Sequence, residues 1–149
     1  MSDKIIDKIL IPTNGSEYAN KAVKHALWLA SASGAEIIAL NVIDTSSLVA
    51  LPEERIRVQT LKLLKEEGNK ALVKISDLLE TEGDNQKIKL TTFIKEGSPT
   101  DVIVKTVEEE SIGLITIGTS GKQGINRFVL GSLAENVVRA VSCPVLVVH

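Results

Sequence analysis

The sequence predicts an α/β protein: one open parallel sheet with helices on both faces. Three observations carry this. Short apolar runs recur along the chain with helical segments between them, in the order β-α-β-α-β-α-β-α-β. Such alternation is the pattern of a parallel sheet with right-handed crossovers. The runs are nearly continuous in apolar residues, as expected where both faces of a sheet are covered. The intervening segments open and close on residues that start and stop helices.

The first strand is Lys8-Ile9-Leu10-Ile11-Pro12, short, β-branched and closed by proline. A helix is expected over Ser16 to Ser33, where Ala19, Ala22, Val23, Ala26, Leu27 and Ala30 form an i, i+3, i+4, i+7 stripe. Gly34 follows as its stop. Ile37 to Ile43 reads as the second strand. Thr45 to Pro52 is linker-like, and too short to divide domains. A longer helix is expected over Glu53 to Glu80, with Leu61, Leu64, Leu72, Ile75 and Leu79 on its inner stripe. Gly68 interrupts it at a cost of roughly 1 kcal/mol relative to Ala. Lys87 to Lys95 alternates early on, which suits an edge strand with one wetter face. Pro99 to Glu110 should be helical, with Ser98 as N-cap, Pro99 at the first position and Asp101 at the third. Ile112 to Ile117 is the fourth strand. Ser132-Leu133-Ala134-Glu135 has the spacing of a capping box and opens a helix to about Val141. Val145 to Val148, beyond Pro144, is the last strand.

At 149 residues, with no internal repeat, residues 1–149 read as one domain. Aromatics make up only 3%, which weighs against modules that stack bases on aromatic platforms. A net charge of −2 advertises no basic face for nucleic acid. One cysteine, Cys143, excludes an internal disulfide, and two histidines leave little for a zinc centre. The polar start, Met1-Ser2-Asp3-Lys4, is no signal peptide, and no apolar run reaches the length of a membrane span. The expectation is a soluble cytoplasmic protein without a membrane or nucleic-acid partner.

In open parallel sheets ligands bind beyond the carboxyl ends of strands, where strand order reverses. Three loops leave such ends: Pro12-Thr13-Asn14-Gly15-Ser16, the turn at Asp44, and Gly118 to Ser132. The third holds Gly118, Gly121, Gly124 and Gly131 between a strand and a helix start. It is longer than the usual βα connection of about 2–6 residues. Glycine lets the backbone approach a phosphate closely, and the helix start offers free N–H groups and the positive dipole end. Lys122 and Arg127 add positive charge nearby. The loop reads as a polyphosphate cradle. It has neither the Gly-x-x-x-x-Gly-Lys-Ser/Thr of a P-loop nor a Gly-x-Gly-x-x-Gly after the first strand.

Gly118, Gly121, Gly131 and Ser132 fit the spacing Gly-x2-Gly-x9-Gly-Ser/Thr. With Lys8 to Thr13, Asn41-Val42-Ile43-Asp44 and Cys143 to Val148 as flanks, the chain resembles the ATP-binding branch of the universal stress protein family along nearly its whole length. The resemblance implies a Rossmann-like five-stranded sheet of order 3-2-1-4-5, so that the loops after strands 1 and 4 meet. It implies that Gly118, Gly121, Gly131, Ser132 and the backbone of Leu133 hold phosphates and ribose. Pro12, Thr13 and Asn14 would line the nucleoside side, Val42 would meet adenine through its backbone, and Ile117 would pack nearby. It also implies a homodimer through Val145 to Val148, an apolar edge unless something pairs with it. ATP binders of the family usually carry Asp where this chain has Asn14. Asn keeps hydrogen bonds but loses the charge. Binding of ATP or another adenine nucleotide is therefore expected to be weaker and less dependent on Mg²⁺.

His25 reads as a structural or surface histidine, Cys143 as a packed thiol, Tyr18 and Trp28 as helix-packing residues, and Glu108 to Glu110 as a solvated helix end. Asp44 reads as a surface acid. No Ser-His-Asp set, carboxylate pair or metal cluster stands out, so the reading is a nucleotide-binding stress switch with slow hydrolysis at most. A protein-interaction module of the same fold, and a slow ATPase or nucleotidyl transferase, stay open as alternatives.

Overall fold

The computed structural model describes residues 5–14, 17–82, 87–119 and 131–149. In chain order the elements are β1 (Lys8–Pro12), α1 (Glu17–Ser33), β2 (Glu36–Asp44), α2 (Ser46–Val49), α3 (Glu54–Glu82), β3 (Leu90–Gly97), α4 (Pro99–Glu110), β4 (Leu114–Gly118), α5 (Ser132–Ala140) and β5 (Val145–Val148). The five strands form one parallel sheet of order β3-β2-β1-β4-β5.

The sheet is covered on both sides, which is why the central strands do not alternate. Ile9 and Ile11 of β1 and Ile37 and Ala39 of β2 join Val23, Ala26 and Leu27 of α1 and Leu72 and Ile75 of α3 in one core. Leu10, Ile38, Leu40, Ile115 and Ile117 point the other way, into a second core with Ile103 and Val107 of α4 and Ala134 and Val137 of α5. The two layers clamp β1, whose Ile9, Leu10 and Ile11 are fully buried. Strand β3 lies at one edge, with Thr92 and Glu96 exposed, and β5 lies at the other.

Helix boundaries follow local chemistry. Gly34 ends α1 at φ 78°, a conformation that favours glycine, and its amide donates to the Ala30 carbonyl at 2.8 Å. Ser98 is the N-cap of α4 with Pro99 behind it, as its sequence predicts. The capping box at Ser132 does not form. Gly131 occupies the N-cap, Ser132 is the first helical residue, and no side chain caps the end. Glu135 turns instead to Arg139, one turn on, at 3.0 Å.

Three further readings are corrected. Thr45 to Pro52 is not merely a linker, because it folds the short α2. The Asp44 carboxylate, a surface acid as expected, also organises that turn, accepting from the Ser46 amide at 3.0 Å and its hydroxyl at 2.5 Å. Trp28 does not pack between helices; it is 71% exposed. The acidic end of α4 is only partly a free solvated one: Glu109 pairs with Lys95 and Lys105, and Glu110 with Lys8. His25 is on the surface, its Nδ1 2.9 Å from the Lys21 carbonyl oxygen. Burial pushes the Cys143 thiol above its ordinary value, with a backbone hydrogen bond acting the other way, in keeping with a packed thiol.

Candidate functional site

The sheet order reverses between β1 and β4: the chain leaves β1 toward β2 on one side and arrives at β4 on the other. Loops leaving their carboxyl ends diverge there and leave a crevice. A cleft of about 470 Å³ occupies this position. It falls within the roughly 300–1,000 Å³ of small-molecule sites.

Nine of the ten residues expected at the site line it: Pro12, Thr13, Asn14, Val42, Ile117, Gly118, Gly131, Ser132 and Leu133. The tenth, Gly121, lies outside the described residues, as do Gly15, Ser16, Gly124, Lys122 and Arg127. The structure therefore brings together the end of β1, the end of β4 and the start of α5, segments separated by about a hundred residues of chain.

The walls differ in character. Leu40, Val42, Pro99, Ile103, Ile117 and Ala134 are apolar, and most belong to the side of the sheet covered by α4 and α5. The rest of the described lining is polar: Thr13, Asn14, Asn41, Thr119 and Ser132, with the backbone of Gly118 and Gly131. With Gly131 as N-cap, the amides of Ser132, Leu133 and Ala134 have no acceptor within α5. They and the helix dipole make the cleft's floor attractive to an anion. None of the described lining residues carries a charge; they offer amides, hydroxyls and apolar surface. Among the described residues no group of three His, Cys, Asp or Glu could hold a metal ion.

Hydrogen bonds fix the rim. The Thr119 amide donates to the Val148 carbonyl at 3.0 Å, carrying β4 past Gly118, and the Gly131 amide donates to the Thr119 carbonyl at 2.7 Å. On the other rim the Thr13 amide donates to the Leu40 carbonyl at 2.9 Å, and Asn41 Nδ2 donates to the Thr13 carbonyl at 2.9 Å.

Sequence reading missed Asn41, Thr119, Ala19, Leu40, Pro99, Ile103 and Ala134 as lining residues. A signal existed for Asn41, a polar residue inside the otherwise apolar run of the second strand. For Pro99 and Ile103 there was none, because only the sheet order brings α4 over the end of β2.

The model of the universal stress protein family matches residues 6–149. A universal stress protein of Methanocaldococcus jannaschii is 42% identical over 146 residues, covering 98% of this chain and 84% of its own. The solved structure of a second Methanocaldococcus jannaschii universal stress protein is 33% identical, covers 97% of this chain and 96% of its own, and superposes with a TM-score of 0.79. A universal stress protein in complex with cAMP has a TM-score of 0.72 at 24% identity, over 97% of this chain and 98% of its own. An Arabidopsis thaliana family protein with AMP bound has 0.65 at 19%, over 94% and 89%. The last two are likenesses of fold.

Proposed function

Because this chain belongs to the universal stress protein family, we propose that it binds ATP, or another adenine nucleotide, in the cleft between the ends of β1 and β4 and acts as a nucleotide-responsive regulator. The observation that carries this reading is the meeting of Pro12 to Asn14 with Gly118, Gly131, Ser132 and Leu133 around one cleft of suitable volume. The base would lie against the apolar wall of Val42, Ile103 and Ile117, and the phosphates against the free amides at the start of α5. The spacing of Gly118, Gly121, Gly131 and Ser132 supports the same assignment. So do the cAMP and AMP found on two proteins of this fold.

Asn14 sets the expected metal dependence. A neutral amide does not bridge to Mg²⁺ as a carboxylate does, so ATP is expected to bind in EDTA about as well as with Mg²⁺. Isothermal titration with ATP, ADP, AMP and cAMP, against GTP, tests the reading. Saturable binding of an adenine nucleotide is expected. No binding at millimolar nucleotide would overturn it and favour a protein-interaction module of the same fold.

We further propose that the protein is one domain over residues 1–149 and works as a homodimer joined through Val145 to Val148. Strand β5 is a sheet edge of four apolar residues, and Val145, Leu146 and Val147 are only half-buried in the chain alone.

A further inference from the structure

Parallel strands send alternate amides to alternate neighbours. In β2 the Ile37 amide donates to the Lys89 carbonyl, on the β3 side, and the Glu36 amide to the Asp7 carbonyl, on the β1 side. Residues 36, 38, 40 and 42 therefore face β1, and the register pairs Lys8 with Glu36 through Pro12 with Leu40. Continued by one step, the ladder would have the Val42 amide donate to the Thr13 carbonyl. It does not continue. Thr13 still donates its own amide to the Leu40 carbonyl, but its carbonyl accepts instead from the Asn41 side chain, Nδ2 at 2.9 Å. Among the described residues no bond takes the ladder on to Val42. Val42 lines the cleft.

We propose that Asn41 is a positioning residue that holds the β1–β2 ladder open by capturing the Thr13 carbonyl, and so leaves the Val42 amide free to donate to an acceptor on the ligand's base. The inference rests on the adenine-nucleotide reading for its ligand, though not for its geometry. Asn41 is 92% buried, with its side chain on the face opposite those of Leu40 and Val42, and it borders the cleft. Its place is reserved by α3. A Cβ at Gly68 would stand 2.5 Å from Asn41 Oδ1 and 3.0 Å from its Cγ, so only glycine at that turn of the helix leaves room for the side chain. The interior glycine, unfavourable for the helix, is explained by what lies beneath it.

Amide hydrogen exchange by NMR on the free protein is the direct test, with calorimetry of ATP alongside. The Val42 amide is expected to exchange much faster than those of Ile38 and Leu40, and to slow on adding ATP. In Asn41→Leu the Thr13 carbonyl is released, so the Val42 amide should become protected without ligand while ATP affinity falls at least about tenfold. Loss of packing alone would do the reverse, speeding exchange along the strand. Asn41→Asp, of the same shape but with no donor when ionised, repeats the measurement if the leucine variant does not fold. Protection of Val42 equal to that of Leu40 in the free protein overturns the inference, as does unchanged ATP affinity in a folded variant. If the unaltered protein binds no adenine nucleotide, the functional reading fails, and the exchange pattern of the free protein still decides whether Asn41 holds the ladder open.

Discussion

The Gly131 amide donates to the Thr119 carbonyl at 2.7 Å, so the end of β4 and the start of α5 are tied together at the cleft. Gly131 is also the N-cap of α5, at φ −58° and ψ 150°, backbone angles that any residue adopts. Its role at the site and its role at the helix end can therefore be separated. Serine is a better cap than glycine by a few tenths of a kcal/mol, because its hydroxyl can accept from the first-turn amides. The same hydroxyl would occupy those amides and narrow the cleft. Gly131→Ser is expected to leave the thermal midpoint unchanged or slightly raised while weakening ATP binding about tenfold or more. Thermal melts and calorimetry on one preparation decide it. Equal loss of both would mean that Gly131 serves folding alone.

Gly68 gives a second prediction, opposite in sign to what helix propensity suggests. Alanine in an exposed helix interior would stabilise by about 1 kcal/mol relative to glycine. Here the added methyl meets Asn41 at 2.5 Å, and overpacking of this kind costs about 1–3 kcal/mol. Gly68→Ala should therefore lower stability to urea, and Asn41→Ala in the same chain should recover part of the loss. A rise in stability in the single variant would show that Asn41 can move aside freely.

A third prediction concerns Thr116 of β4, which is fully buried. It lies between Ile115 and Ile117, which face the α4–α5 core, so its side chain points to the α1 side of the sheet. Its hydroxyl finds no hydrogen-bond partner among the described residues. A buried hydroxyl without a partner costs about 1–3 kcal/mol, and replacing it by a methyl of similar size removes that cost. Thr116→Val is expected to raise the unfolding free energy by about 1 kcal/mol, measured by urea denaturation with an unchanged m-value. A destabilised valine variant would reveal a partner for the hydroxyl.

Much of this was legible in the sequence because the signals were local and redundant. The apolar runs of β1, β2, β4 and β5 could face only a doubly covered sheet, and Ser98-Pro99 named the start of α4. The glycine spacing singled out Gly118, Gly131 and Ser132, and the family resemblance added Pro12, Thr13, Asn14, Val42, Ile117 and Leu133, all of which border the cleft. What stayed hidden depends on sheet order or on competition between neighbours. Asn41 and Gly68 are 27 residues apart and explain one another only when α3 crosses β2. Ser132 has the form of a cap, yet Gly131 takes the position because its amide reaches back to Thr119. Trp28 looks like core by residue type and is exposed, since the inner face of α1 is already filled by alanines, Val23 and Leu27.

The free edge of β5 carries the last prediction. The Ile115 amide donates to the Pro144 carbonyl and the Thr119 amide to the Val148 carbonyl, each at 3.0 Å. By the same alternation, the backbone groups of Pro144, Leu146 and Val148 turn toward β4, and those of Val145 and Val147 turn to the outer edge. A second copy pairing there would use the Val145 and Val147 amides. Proline at 147 removes one of these donors and leaves the β4 side intact, which is the position in a sheet where proline is tolerated. Val147→Pro is therefore expected to fold and to sediment as a monomer at concentrations where the unaltered protein sediments as a dimer. A variant that still dimerises would move the interface away from β5. A monomeric unaltered protein at tens of micromolar would remove the homodimer from the proposed mechanism altogether.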